Sequence, residues 1–187
     1  MLSVGLVHHP VIDSKGDVVT TNVTNFDIHD IARACQVYGV KNYFIINPMR
    51  EQLMFVMRIL DHWRVGYGAQ YNPMRRTALE PVKTAESIEE AVRTLAADSG
   101  KVTVVGTSAR NLPEHQQVSF KQLRQDLASS EENYLLLFGT GFGMHEDALK
   151  QCQLILEPIK GASPQDYRHL SVRSAVSICL DRLKGTW

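Results

Sequence analysis

Asn133-Tyr134-Leu135-Leu136-Leu137-Phe138-Gly139-Thr140-Gly141-Phe142-Gly143 decides the fold. Tyr134 to Phe138 is an unbroken apolar run, and Gly139, Gly141 and Gly143 come directly after it. A short apolar run closed by a glycine turn reads as a strand buried on both faces, as in a parallel sheet. Ligands of open parallel sheets sit beyond the carboxyl ends of the strands. Glycine there lets the backbone turn tightly and approach a ligand without a side chain in the way.

Two further strands, Val102 to Val105 and Leu154 to Leu156, lie on either side of this stretch in sequence. Each ends in a loop of small residues. One loop holds Gly106, Thr107, Ser108, Ala109 and Arg110; the other opens with Glu157, Pro158 and Ile159 and runs to His169. We read these two loops and the glycine loop as one binding pocket. The glycines match neither the dinucleotide fingerprint nor a Walker sequence. A tight structural turn without a ligand is the competing reading of the glycine loop taken alone.

The remaining chain alternates strand and helix signals. Leu2 to His8 reads as the first strand, and Val11 to Thr24 as a polar excursion with a short extended piece around Val18 and Val19. Asp27 is placed to cap a helix running to Tyr38, with Ile28, Ile31, Ala32 and Cys35 as its buried stripe and Gly39 as its stop. Asn42 to Ile46 is a strand and Arg50 to Trp63 a helix. Tyr67 to Pro81 is assigned one short edge strand. Capping pairs Ser87/Glu90 and Ser119/Gln122 open helices to Ala97 and Leu127. A helix from His145 to Cys152 and a last one from Ser171 to Leu183 complete the pattern. Alternating strands and helices predict an α/β fold, a mostly parallel sheet with helices on both faces. No repeat or composition break appears, so residues 1–187 read as a single domain.

With 187 residues and 44% hydrophobic residues the chain is long enough to bury an ordinary core. No apolar run of transmembrane length and no signal peptide is seen, so no membrane partner is expected. Cys35, Cys152 and Cys179 are widely spaced and read as reduced, mostly buried thiols, which predicts a cytoplasmic location and no metal. Twenty basic residues balance twenty acidic ones, so any nucleic-acid surface has to be local. The best local cluster is Arg58, Arg64, Arg75 and Arg76, with Lys41 and Arg50 nearby; scattered solvated arginines are the alternative. His8, His9 and His169 suit proton transfer near neutral pH, and Arg168 and Arg173 suit phosphate, although structural roles are as ordinary for each.

Three segments carry a resemblance: Leu136 to Gly143, then Ile155-Leu156-Glu157-Pro158-Ile159, then His169-Leu170-Ser171-Val172-Arg173-Ser174-Ala175. Together they resemble the SPOUT (α/β-knot) RNA methyltransferases. Asp27 to Val40, with Arg33 and the closing Gly39-Val40, is similar to that family's first motif. The resemblance implies a C-terminal deep trefoil knot, a homodimer, S-adenosylmethionine as cofactor and RNA (tRNA or rRNA) as methyl acceptor. Carried over by position, it assigns cofactor contacts to Thr107, Ser108, Phe138, Gly139, Thr140, Gly141, Gly143, Glu157, Pro158, Ile159, His169, Leu170 and Ser174. It assigns the catalytic, RNA-positioning role to Arg33. Three positions depart from the pattern: Gly141 replaces the glutamate of many 2′-O enzymes, and Asp27 and Ser171 stand where asparagine is usual. They leave open a non-catalytic RNA-binding or dimerisation module on the same fold.

Overall fold

The computed structural model describes residues 1–186, the side chains of Asp98 and Ser99 excepted. In chain order the elements are β1 (Leu2–Val7), β2 (Val11–Ile12), β3 (Val18–Val19), α1 (Asn25–Val37), β4 (Asn42–Ile46), α2 (Arg50–Arg64), α3 (Tyr67–Tyr71) and α4 (Pro73–Leu79). Next come β5 (Val82–Ala85), α5 (Ile88–Ser99), β6 (Val102–Gly106), β7 (Gln117–Val118) and α6 (Phe120–Ser129). The chain closes with β8 (Asn133–Gly139), α7 (Glu146–Leu149), β9 (Leu154–Leu156) and α8 (Val172–Lys184).

Seven strands form one sheet in the order β5-β4-β1-β8-β6-β9-β7. Every pairing in it is parallel. The decisive stretch is therefore a central strand: β8 lies between β1 and β6, and its residues from Asn133 to Phe138 are all buried. Helices cover both faces. Ile28, Ile31, Val56, Leu123, Val176 and Leu180 pack against Val4, Leu6, Leu136 and Phe138 on one side. Ile88, Ala91, Leu95 and Leu149 pack against Val7, Ile46, Leu135 and Leu137 on the other. The alternation of Leu135 and Leu137 against Leu136 and Phe138 between the two cores is the two-residue period of a strand buried on both faces.

The structure corrects several local readings. Tyr67 to Pro81 holds no strand; it forms α3 and α4, and the edge strand β5 starts one residue after Pro81. Asn72-Pro73, a turn signal in isolation, here serves as cap and first helical residue, the Asn72 side chain accepting from the Arg75 amide. Thr24, not Asp27, caps α1: its hydroxyl oxygen accepts from the Asp27 amide at 3.2 Å. The extended piece expected at Val18 and Val19 is present as β3; what the sequence did not show is its antiparallel partner β2, and the hairpin is tied to the glycine loop rather than to the main sheet. The helix expected to begin at His145 is a single turn from Glu146 to Leu149, with the His145 side chain as its cap. The two-residue strand β7 is too short to leave a pattern in the sequence.

Candidate functional site

The carboxyl ends of β8, β6 and β9 open into a cavity of about 760 Å³. That lies inside the range of about 300–1,000 Å³ typical of small-molecule sites. Thr107, Ser108, Phe138, Gly139, Thr140, Gly141, Gly143, Glu157, Ile159, His169 and Leu170 all line it. Three candidates lie elsewhere. Pro158 and Ser174 are not in the lining, and the Ser174 hydroxyl is engaged with Ser171, whose side chain caps α8. Arg33 lies exposed on α1, on a shallow groove with Asp30, Val37, Tyr38 and Ser177.

Backbone bonds fix the loops. The Thr107 amide and hydroxyl both donate to the Leu137 carbonyl, at 3.1 and 2.8 Å, which holds the first loop against β8. The hairpin grips the glycine loop: the Phe142 amide donates to the Ile12 carbonyl and the Ile12 amide to the Gly143 carbonyl, each at 3.0 Å. Gly141 has φ +60°, and a Cβ there would lie 2.9 Å from the Ile12 carbonyl oxygen. A Cβ on Gly139 would lie 2.6 Å from the Met144 amide nitrogen. Both glycines are thus required by the turn itself, and the two readings of this loop are compatible: it is a tight structural turn, and it lines a cavity.

Sequence reasoning missed one wall of the cavity. Thr21, Asn22, Thr24 and Asp27 line it, although the first three lie in the polar excursion. Asp27 is almost wholly buried, and one carboxylate oxygen accepts from Arg173 at 2.7 Å while the other accepts from the Thr24 hydroxyl at 2.6 Å. This ion pair joins the start of α1 to the start of α8 across the pocket wall. A buried carboxylate needs such a partner, because an unpaired charge costs several kcal/mol to desolvate. The acid at position 27 and the arginine at 173 were visible in the sequence, but nothing there brought the two together. Arg173, the phosphate candidate, is therefore held by Asp27, with Asp30 at 3.6 Å. Arg168 is likewise engaged, by Asp166 and by the Asn111 side chain at 3.2 Å.

Two more candidates acquire structural roles. One Glu157 oxygen accepts from the Phe120 amide at 2.7 Å, at the start of α6. His8 is fully buried at the end of β1. The Thr140 hydroxyl donates to the Val7 carbonyl, so the Thr21 hydroxyl donates to Thr140 and His8 Nδ1–H donates to Thr21. That order leaves Nε2 as a bare acceptor with no partner among the described residues. Burial lowers its pKa to about 4, so the ring is neutral and fixes the hydroxyl chain behind the glycine loop. Burial raises the thiols of Cys35, Cys152 and Cys179 to about 12, which fits inert packing residues. Outside the cavity, Glu114, His115 and Glu146 bring ligand-type atoms within 4.8 Å of one another, with the carboxylate of Glu114 exposed.

The donor set suits a zwitterionic nucleoside: hydroxyls and backbone groups at Thr107, Ser108 and Thr140, apolar walls at Phe138, Leu156 and Ile159, and charges of both signs at the rim. Comparison with known proteins agrees. Residues 1–185 match the family model described as "SAM-dependent RNA methyltransferase". The chain is 35% identical over 181 residues to an uncharacterised protein of Aquifex aeolicus, covering 96% of this chain and 86% of that one. It is 39% identical over 181 residues to a tRNA (guanine-N(1)-)-methyltransferase of Oleidesulfovibrio alaskensis, covering 96% of this chain but only 41% of that one. Its fold is that of TrmJ from Z. mobilis, with a TM-score of 0.62 at 17% identity, over 98% of this chain and 69% of that one.

Proposed function

This chain belongs to the family of SAM-dependent RNA methyltransferases, and we propose that it methylates tRNA or rRNA in the cavity beyond β8, β6 and β9. S-adenosylmethionine is its cofactor, and RNA its methyl acceptor. The observation that carries the site assignment is the convergence of three small-residue loops on one cavity of about 760 Å³ at the carboxyl ends of adjacent strands.

When bound, the cofactor supplies an electrophilic methyl group on a sulfonium. The chain's own residues supply alignment, which accounts for most of what such a transfer asks of an enzyme. Thr107, Ser108 and the backbone from Phe138 to Gly143 hold the nucleoside, with Leu156, Glu157, Ile159, His169 and Leu170 closing the far side. The Asp27–Arg173 pair keeps the wall in place. The neutral His8 orients Thr21 and Thr140 beneath it.

We assign Arg33 the RNA-positioning role that the first-motif resemblance implies. It stands six residues past Asp27 on α1, about 9 Å along the helix from the pocket wall at a rise of 1.5 Å per residue. A second copy of the chain docked on the α1–α8 groove brings the acceptor to it. The exposed Phe26 and Val37 on α1, at 68% and 76%, support that homodimer. The trefoil knot, in a single domain, rests on the family resemblance, with α8 packed on α1 and β8. Among the described residues no helix is long and apolar enough to cross a membrane, and the inert thiols support a cytoplasmic enzyme.

The test is incubation with radiolabelled cofactor and bulk tRNA or rRNA, followed by nucleoside analysis. A labelled nucleoside in one RNA pool supports the reading. Bound cofactor with no label in either pool contradicts it.

A further inference from the structure

We propose that the outer surface of α2, α3 and α4 is a second RNA contact, a stacking platform for unpaired bases that shares no residue with the catalytic pocket. The proposal rests on the reading of this chain as an RNA methyltransferase. Tyr67 and Tyr71 project from α3, each 73% exposed, with their rings stacked at 6.1 Å between centroids. A single exposed ring is ordinary, but a paired, stacked and exposed set offers a flat face to a base.

The platform is continuous with a cationic layer. Helix α3 lies directly on α2: a Cβ on Gly68 would be 2.7 Å from Cε3 of Trp63. The Arg75 guanidinium from α4 covers the same indole, 4.5 Å from its centroid. Arg58 and Arg76 are exposed on the adjoining helices. Between residues 50 and 79 there are five arginines against two carboxylates, Glu51 and Asp61, in a chain whose formal net charge is zero. Basic residues interleaved with aromatic faces form the usual footprint for single-stranded nucleic acid, arginines on the phosphates and rings on the bases.

The exposed Met54, Met57 and Met74 on the same helices raise the alternative of a second copy of the chain. Charge argues against it. A two-fold interface sets the same patch against itself, so this basic surface would repel its own image. A polyanion has the opposite complementarity.

The test measures binding of full-length protein to total tRNA and to a fluorescein-labelled uridine oligonucleotide of about 12 nucleotides, the scale of a single-strand site. Tyr67→Ala/Tyr71→Ala is expected to weaken oligonucleotide binding by about 10-fold or more, with cofactor affinity unchanged. Arg58→Gln and Arg76→Gln are each expected to flatten the slope of log affinity against log salt by about 0.7. Wild-type affinity in all these variants overturns the platform while leaving the enzyme reading intact. A change in oligomeric state by light scattering, with RNA affinity unchanged, assigns the face to a second copy and overturns it too. Failure of the wild-type protein to bind any RNA overturns the platform and the enzyme reading together.

Discussion

Gly141→Ala probes the loop on which the site depends. At φ +60° an L-residue is left-handed, which costs about 1–2 kcal/mol. The added Cβ also meets the Ile12 carbonyl oxygen at 2.9 Å, and that oxygen is backbone. The hairpin has to retreat, which weakens the Phe142–Ile12 bond, worth about 1 kcal/mol. The sum is about 2–3 kcal/mol. For a chain of this length, 1 kcal/mol shifts Tm by about 2–4 °C, so a drop of roughly 5–10 °C is expected. Gly161→Ala is the control, since its Cβ has open space and its φ is ordinary; it should stay within about 0.5 kcal/mol of wild type. Thermal denaturation reads the stability and calorimetry with S-adenosylmethionine reads the site, where affinity should fall as the loop moves. A Gly141→Ala protein with wild-type Tm and wild-type affinity would refute both the strain argument and the place of this loop in the pocket.

The same geometry predicts other outcomes. Arg33→Ala should leave cofactor affinity unchanged while single-turnover methyl transfer falls by a factor on the order of 100, with little rescue by Arg33→Lys because the planar fork is lost; transfer at the wild-type rate removes Arg33 from the reaction. His8 gains its proton near pH 6.5 in the unfolded chain and near 4 in the folded one, so stability is full above about pH 6.5 and declines as pH falls toward 4, by roughly 3 kcal/mol in all. His8→Asn should flatten that part of the Tm-against-pH curve, and an unaltered slope would contradict the assignment. Arg173→Ala leaves Asp27 buried without its cation and should cost about 1–2 kcal/mol, most of it recovered in the Asp27→Asn/Arg173→Ala pair; additive losses in the double variant would show that the two do not interact. Arg64 donates to the carbonyls of Leu79, Glu80 and Val82, so Arg64→Gln should lower Tm without changing RNA affinity; the reverse pattern would return it to the RNA surface.

Strands with both faces buried announce themselves in sequence, which is why β8, β4 and β1 were legible from their apolar runs alone. The loops after β8, β6 and β9 were legible because sheet topology, not side-chain detail, sends them to one end. The other wall of the site was not. Thr21, Thr24 and Asp27 reach the pocket through a hairpin of two-residue strands, too short for any period, and through an ion pair that spans 146 positions of sequence. Arg33 shows the converse limit. A helical position is readable from periodicity, but whether its exposed side chain meets the pocket of its own chain depends on how α1 lies on α8. The segment from Tyr67 to Pro81, expected to hold a short edge strand, forms α3 and α4 instead, each too short to leave a clear helical period in the sequence.

The most direct test of the account is a calorimetric titration of S-adenosylmethionine and its demethylated product into wild-type protein. Both should bind with affinity in the micromolar range and raise Tm with concentration, and Gly141→Ala should weaken both. No heat and no thermal stabilisation at millimolar ligand would contradict the assignment of this cavity as the cofactor site.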